Sequence, residues 1–163
     1  TKAIADFERS LVTPNSAFDK YLKGDKDALT ETEKRGALLF AESGCTSCHS
    51  GSYFGGENYQ KLSESYFTAR GGEITDADLG RYNVTGDEAD RHMFKTPMLR
   101  NIAVTAPYFH DGSAADLETA VKTMAKHQLS LDLSDEDASA IAAFLKTLTG
   151  EYKGVRLDQM AAR

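Results

Sequence analysis

Apolar residues recur at helical spacing near the start of the chain, at Ile4, Phe7 and Leu11, and the run Thr13-Pro14-Asn15 then breaks the pattern. A shorter segment follows from Phe18 to Leu22 and ends before a glycine. The first part of the chain therefore predicts an amphipathic helix, a break, and a short second helix.

Cap signals mark two longer helices. Thr30 and Glu33 have the spacing of a capping box, in which each side chain bonds the other residue's backbone N–H, and they predict a helix that runs to about Ala41. Ser134 precedes three acidic residues and an apolar run that stops at Gly150, which predicts the last helix.

One more helix is predicted from Asp116 to about Lys126. Its apolar face carries Leu117, Val121 and Met124. Gly36 would allow its own helix to cross the last helix closely, because glycine has no side chain. Phe40 and Phe144 would then lie beside the crossing.

Residues 50–113 are rich in Gly, Asp, Asn and Thr and show little periodicity. They predict long loops with short helices. A stretch of this kind counts against a compact domain unless a cofactor supplies the missing apolar body. The pattern as a whole therefore predicts an all-α fold whose long loops surround a bound cofactor rather than a core of the chain's own side chains.

Composition narrows the class of protein. The chain has 163 residues, enough for one domain with a real core, and a net charge of −6. That charge argues against a nucleic-acid partner and is compatible with a basic protein partner, although solubility alone explains it equally well. We find no apolar run long enough to span a bilayer and no signal peptide.

The run Cys45-Thr46-Ser47-Cys48-His49 is the attachment pattern of c-type haem. Each thiol can add to one porphyrin vinyl group, and the histidine is then held under the ring with its imidazole toward the iron. Histidine is a common proximal ligand of haem iron. The motif therefore predicts one covalent haem c held by Cys45, Cys48 and His49, and covalent attachment of this kind is periplasmic chemistry.

Two other chemistries use a Cys-x-x-Cys pair. A thioredoxin-like dithiol belongs between a strand and a helix, and no strand pattern surrounds Cys45. A structural zinc site usually combines two close ligand pairs, whereas His92, His110 and His127 are scattered singly. Haem is the favoured interpretation, and the dithiol and the zinc site stay open as alternatives.

The sixth iron ligand decides the function. An open position binds peroxide or oxygen, whereas methionine closes the iron for electron transfer and raises its potential. The residues that could supply the ligand are Met93, Met98, Met124, Met160, His92, His110 and His127. A lone methionine is more often core filler than a ligand, and composition does not choose among these residues. His127, three residues after Met124 on an amphipathic helix, is expected at the surface or boundary, and so is His92.

Nearly the whole chain resembles the C-terminal half of the bacterial dihaem cytochrome c peroxidases. The most specific part of the match is Thr105–Gly112, which reads Thr-Ala-Pro-Tyr-Phe-His-Asp-Gly. The other matching segments are Leu11–Ser16, Phe18-Asp19, Gly44–His49, Asp78–Arg81, Phe94–Pro97, Leu99–Asn101, Met124-Ala125 and Gln128-Leu129.

That resemblance implies a cytochrome c-like domain with one covalent haem. In the family the N-terminal half reacts with peroxide, and the C-terminal half holds a high-potential His/Met haem that passes electrons on. Met124 matches the axial methionine by position, so His49 and Met124 are the expected iron ligands. The related MauG group has tyrosine at that position, and Met124 argues against that group. No catalytic residue is expected in this chain itself.

Five residues outside the motif also have expected roles, and those of Thr105 and Pro107 are implied by the resemblance. His110 is expected to pair with a haem propionate or to fix its loop near the haem, with a distal ligand and a core histidine as alternatives. Arg100, like Arg81, is expected to pair with a propionate, with a surface role as the alternative. Carbonyl oxygens of Thr105 and Pro107 are expected to bind calcium between the domains, in a site that is incomplete and weak without the other half.

The chain has one haem motif where the family has two, and it has no tryptophan. We therefore expect a fragment that starts at the domain junction, with a helical interdomain segment at 1–26, a cytochrome c domain at 27–150 and a C-terminal tail at 151–163. The expected function is electron transfer within a periplasmic cytochrome c peroxidase.

The expected partners are a small cytochrome c or cupredoxin donor, the N-terminal peroxidatic haem domain and, as a further option, a second copy in a homodimer. The alternatives are a free-standing monohaem electron carrier and a haem sensor or interaction module.

Overall fold

The computed structural model of the chain describes residues 2–160. Its helices are α1 (Lys2–Ser10), α2 (Ala17–Leu22), α3 (Glu31–Glu42), α4 (Glu64–Arg70), α5 (Tyr82–Thr85), α6 (Leu117–Leu129), α7 (Asp135–Lys146) and α8 (Leu157–Met160). Its strands are β1 (Tyr59–Lys61), β2 (Met93–Lys95), β3 (Glu151–Tyr152) and β4 (Val155–Arg156). The predicted all-α class is confirmed, since the strands form only two small antiparallel pairs, β1–β2 and β3–β4.

The predicted helix caps are present. Thr30 accepts a hydrogen bond from the Glu33 N–H, and the Glu33 carboxylate accepts one from the Thr30 N–H at 2.7 Å. Ser134 accepts from the Asp137 N–H at 3.1 Å at the start of α7. The α6 helix continues to Leu129, slightly beyond its predicted end.

The close crossing of α3 and α7 is confirmed. A Cβ atom placed on Gly36 would lie 1.9 Å from the backbone oxygen of Ala140, so only glycine permits this approach. The rings of Phe40 and Phe144 lie beside the crossing with centroids 5.5 Å apart. Ile141, Phe144, Leu145 and Leu148 belong to the same buried core cluster as Phe40. We call the pair α3 and α7 the helical frame.

The first 26 residues contain two helices that differ in burial. The α1 helix has no buried residue over its nine described positions, and Ile4 and Phe7 are 64% and 61% exposed. The α2 helix instead packs into the core, where the Phe18 ring meets Phe144 edge-on at 5.3 Å. The domain boundary at residue 26 stays a prediction.

Residues 50–113, which we call the loop region, contain short turns of 3-10 helix, two short helices and the β1–β2 pair. In this pair Tyr59 lies opposite Lys95 and Lys61 lies opposite Met93. Strands of three residues are too short to give an alternating pattern, so the sequence did not predict them.

The predicted C-terminal tail, residues 151–163, is partly structured. It contains the β3–β4 pair and α8. The prediction that α7 is the last helix is therefore wrong. Residues 161–163 of that tail lie outside the described residues. Among residues 2–160, no helix combines the length and the apolar character that a membrane crossing requires.

Candidate functional site

The Cys-x-x-Cys-His motif lies directly after α3. Gly44 adopts a left-handed conformation, with φ of 91°, that turns the chain out of the helix into a short 3-10 turn over Cys45–Ser47. The His49 N–H donates to the Cys45 carbonyl at 2.9 Å and closes the turn. Both cysteines are free and half-buried, so their sulfur atoms are available for covalent attachment.

The His49 ring is oriented by the loop that follows it. Its Nδ1 atom lies 3.2 Å from the Phe54 carbonyl oxygen. A carbonyl oxygen can only accept, so the contact requires the proton on Nδ1 and leaves Nε2 with a free lone pair. Burial lowers the pKa of His49, against the opposing effect of hydrogen bonds to Phe54 and Pro97, and this favours the neutral ring that a metal requires.

A cavity of about 490 Å³ opens beside this ring. Cys45, Cys48 and His49 line it together with Met124. Much of the remaining wall is aliphatic and comes from the second half of the chain, including Leu99, Ile102, Leu117, Val121, Ile141 and Leu145. Its volume is in the range of cofactor sites, and its two sulfur anchors, imidazole and thioether match the donors of a His/Met haem c.

Met124 lies on α6 and packs against a small buried cluster of Leu62, Tyr66 and Phe67. All four methionines of the chain fall within the described residues, and only Met124 lines the cavity. Met98 and Met160 are instead 52% and 41% exposed. The geometry therefore favours Met124 over the other methionines as the second residue that could bind the iron.

His110 also lines the cavity, but one of its nitrogens is already engaged. Its Nε2 lies 2.7 Å from Oδ1 of Asp78, and its ring stacks on Phe94 with centroids 4.5 Å apart. This contact fixes the ring at the cavity wall, as expected for a histidine that holds its loop. Its predicted contact with a propionate stays a prediction.

Asp78 is the centre of a buried charge network that the sequence did not reveal. It is 1% exposed and accepts two hydrogen bonds from Arg70, at 2.6 and 2.9 Å. Arg70 also contacts Asp111 at 3.1 Å, and Tyr66 donates to the same carboxylate. Hydrogen bonds from Arg70 hold the pKa of Asp78 well below its usual range, although burial opposes them. Local pattern carries no signal for contacts between side chains so far apart in sequence.

His92 was expected at the surface or boundary, and this expectation is wrong. The side chain is 8% exposed, stacks against Phe67 at 4.4 Å, and places Nδ1 2.7 Å from the Asp78 carbonyl oxygen. The Asp78 carbonyl allows the His92 imidazole to be buried, because a buried imidazole needs a hydrogen-bond partner. His127 is half-buried and lies 3.1 Å from the Ser65 hydroxyl, as a boundary residue does.

Arg100 lies away from the cavity wall. Its guanidinium contacts Asp19 at 2.8 Å and donates to the Ser16 hydroxyl and the Ser52 carbonyl. It therefore joins α2 to the loop region, and its predicted contact with a propionate stays a prediction. Thr105 and Pro107 line the cavity, and within residues 2–160 neither carbonyl accepts a hydrogen bond, so both oxygens are available for the predicted calcium ion.

Comparison with known proteins agrees with this geometry. A family model described as cytochrome c matches residues 33–149, and one described as di-haem cytochrome c peroxidase matches residues 1–27. The chain belongs to the cytochrome c family. The resemblance to the dihaem peroxidases is thereby confirmed, and membership indicates a covalent haem c.

The relatives of this cytochrome c domain are longer proteins. A cytochrome c551 peroxidase of Nitrosomonas europaea is 51% identical over 157 residues, which cover 96% of this chain and 46% of that protein. Cytochrome c peroxidase Ccp of Escherichia coli K12 is 48% identical over 98% of this chain and 34% of its own length.

A solved structure shows the same fold. It belongs to a MauG-like protein associated with microbial copper homeostasis and superimposes with a TM-score of 0.69 at 30% identity. The match covers 84% of this chain and 49% of that one. The cytochrome c domain thus spans half or less of the proteins it matches.

Proposed function

We propose that this cytochrome c domain is the electron-transferring part of a periplasmic dihaem cytochrome c peroxidase. It would accept single electrons from a small cytochrome c or cupredoxin. It would pass them to a peroxidatic haem in another domain, where two electrons and two protons convert hydrogen peroxide to water. The observation that carries the proposal is the cavity in which Cys45, Cys48, His49 and Met124 meet.

When bound, the haem supplies an iron that takes up and releases one electron. Cys45 and Cys48 would hold the ring covalently, and His49 Nε2 would bind the iron because its other nitrogen is committed to the Phe54 carbonyl. Met124 would be the second residue to bind the iron, and its thioether would leave no free site there for peroxide. The aliphatic wall would keep water from the iron, and together with thioether ligation this favours a high potential.

The exposed apolar side chains of α1 are an argument for contact with a partner domain. Ile4 and Phe7 on α1, and Leu11 directly after it, are exposed apolar side chains, and α1 falls within the match to the di-haem peroxidase model. We call these three residues the apolar stripe. We propose that this stripe packs against the peroxidatic haem domain. Replacing Ile4 and Phe7 by serine should slow electron transfer between the haems of the full-length protein in stopped-flow experiments and leave the spectrum unchanged.

Absorption spectra of the oxidised and reduced protein test the haem assignment. Met124→His should keep two axial ligands, lower the potential and abolish the weak long-wavelength band of methionine-ligated ferric haem. Met98→Leu is the matched control, because Met98 lies outside the cavity and is 52% exposed. A spectrum that responds to Met98→Leu and not to Met124→His would overturn the ligand assignment.

A free-standing electron carrier is the second candidate function, since the four residues that would hold one haem, Cys45, Cys48, His49 and Met124, all line one cavity. Both functions predict poor peroxide turnover by this chain alone, because His49 and Met124 would both bind the iron. Met124→Gly should open one face and raise peroxide turnover in a steady-state assay. Strong turnover by the unmodified chain would make it a peroxidase in its own right and refute both.

A further inference from the structure

Gln128 joins the helix that carries Met124 to the loop region. Its side-chain oxygen accepts a hydrogen bond from the Ser63 N–H at 3.2 Å, and its side-chain nitrogen donates to the Lys61 carbonyl at 2.9 Å. One partner is a donor and the other an acceptor, so together they fix the orientation of the amide. Gln128 thus ties one point of α6 to two backbone points between β1 and α4.

The residue between those two points forms part of the surface on which Met124 packs. Leu62 is 8% exposed and belongs to the buried cluster that Met124 contacts. Its own N–H donates to the His92 carbonyl at 2.9 Å, so its backbone is fixed by a further hydrogen bond. Gln128 therefore holds the chain immediately before and immediately after a residue of that cluster.

Met124 and Gln128 lie on the same face of α6, because residues four positions apart in a helix are neighbours. Both line the cavity of about 490 Å³, and so does Leu62. Within the described residues, two side chains of α6 hydrogen-bond to the loop region. They are Gln128 and His127, whose Nδ1 lies 3.1 Å from the Ser65 hydroxyl. Neither His127 nor Ser65 lines the cavity, so Gln128 makes this connection at the cavity wall.

We propose that Gln128 is a positioning residue that holds the Met124 thioether where it can bind the haem iron. The proposal rests on the proposed binding of haem in this cavity. A methionine that its surroundings already hold in place loses little conformational freedom on binding a metal, so more of the bond strength opposes competing ligands. Without the contacts of Gln128, α6 would separate from Leu62 more readily, and the thioether would leave the iron more often.

Competition with imidazole tests the proposal. Imidazole is added to the haem-loaded, oxidised, full-length protein, and displacement of Met124 is followed as loss of the weak long-wavelength band of methionine-ligated haem. Gln128→Leu keeps a side chain of similar size and removes both hydrogen bonds. We expect displacement at about tenfold lower imidazole concentration than in wild type, which corresponds to about 1.4 kcal/mol. The reduction potential should also fall, because methionine ligation raises it.

Ser65→Ala is the matched control. It removes the contact with His127, which joins the same two helices away from the cavity wall. Both variants should lower the midpoint of urea unfolding, whereas only Gln128→Leu should change the imidazole titration. A Ser65→Ala protein that releases Met124 as readily as Gln128→Leu would show that contact between α4 and α6 in general holds the methionine, and would overturn the proposal.

A second variant keeps the test decisive if Gln128→Leu folds poorly. Gln128→Glu keeps the length of the side chain and an acceptor for the Ser63 N–H, but at neutral pH its carboxylate cannot donate to the Lys61 carbonyl. It should also release Met124 at a lower imidazole concentration than wild type. A wild-type titration in Gln128→Leu, or in Gln128→Glu where Gln128→Leu does not fold, would contradict the role of Gln128.

The outcome also separates this proposal from the proposed function. A wild-type protein whose oxidised spectrum lacks the methionine-ligated band would refute Met124 as a ligand, and the role of Gln128 with it. A wild-type protein that shows the band, together with a Gln128→Leu variant that has the same imidazole titration, would refute the role of Gln128 alone.

Discussion

Two arginines each bridge a pair of carboxylates, one in the helical frame and one in the loop region. Arg35 of α3 contacts Glu136 and Asp137 of α7 at 2.6 and 2.5 Å, with its own side chain 44% exposed. Arg70 of α4 contacts Asp78, which is 1% exposed, and Asp111. The two arrangements look alike in connectivity but differ in their contact with water.

Exposure to water determines how much each arginine bridge contributes to the stability of the fold. An exposed ion pair gains little, because solvent screens the charges and the free side chains are well hydrated. A buried carboxylate that loses its arginine keeps an uncompensated charge, which is strongly unfavourable. The helical frame is thus stabilised mainly by apolar packing at the Gly36 crossing, and the loop region by buried charges and by the proposed haem. We therefore expect the helical frame to be destabilised mainly by changes in packing, and the loop region mainly by loss of charge pairs or of haem.

Removing the haem attachment should have the largest effect. Without bound haem the double variant Cys45→Ala/Cys48→Ala leaves the cavity of about 490 Å³ without its occupant, and the loop region loses its apolar centre. We expect a largely unfolded chain, with hydrogen-exchange protection lost first over residues 50–113. The single variant Cys48→Ala, which can still form one thioether, serves as the control. A haem-free double variant with native protection would show that the loop region folds without a cofactor.

The two arginines provide a direct test of the comparison. Arg70→Met should lower the free energy of unfolding by about 3–5 kcal/mol, because the buried Asp78 carboxylate loses its arginine and keeps only its contacts with His110 and Thr75. Arg35→Met, the matched control, should lower it by less than about 1 kcal/mol. Urea unfolding followed by circular dichroism measures both. Equal losses for the two variants would mean that burial does not distinguish the bridges.

Gly36→Ala should affect the helical frame through packing alone. The added methyl group collides with the Ala140 backbone oxygen, and overpacking of this kind costs about 1–3 kcal/mol. Leu38→Ala in the same helix is the control, because Leu38 is 58% exposed and should change stability by less than about 1 kcal/mol. A stable Gly36→Ala variant would contradict the close crossing.

Acid should loosen the loop region before the helical frame. Burial alone would raise the pKa of Asp111, but hydrogen bonds from Ser113 and Arg70 outweigh it and lower the pKa from 3.8 to about 2. A carboxylate with a lowered folded pKa contributes its full stability above pH 3.8, and the contribution is lost as the pH falls toward 2. Hydrogen exchange measured between pH 4 and 2 should show protection declining first over residues 50–113. Asp111→Asn should flatten that decline, and a decline that begins in α3 and α7 would contradict the assignment.

Sequence patterns predicted what short-range chemistry determines. The Thr30 and Ser134 caps and the haem motif each lie within a few residues, so spacing alone reveals them. The Gly36 crossing joins distant helices, but a glycine within a helix indicates where a close approach is possible. The contacts of Arg70 with Asp111 and of Gln128 with Lys61 depend on how distant segments meet, and residue type gives no sign of them. The prediction that His92 lies at the surface or boundary was wrong for the same reason, since His92 is buried against the Asp78 carbonyl and the Phe67 ring.

The contacts that join the two ends of the fold have a consequence for biosynthesis. The Glu151 N–H donates to the Pro14 carbonyl at 2.8 Å, and Asn15 contacts Glu151 across 136 positions of the sequence. Asn101 adds a hydrogen bond from its side chain to the Thr13 hydroxyl. On the ribosome, the segment around Pro14 must wait until residue 151 has emerged from the exit tunnel. Until then the segment that leads into α2 lacks these contacts, so the two ends of the domain can close only late in synthesis.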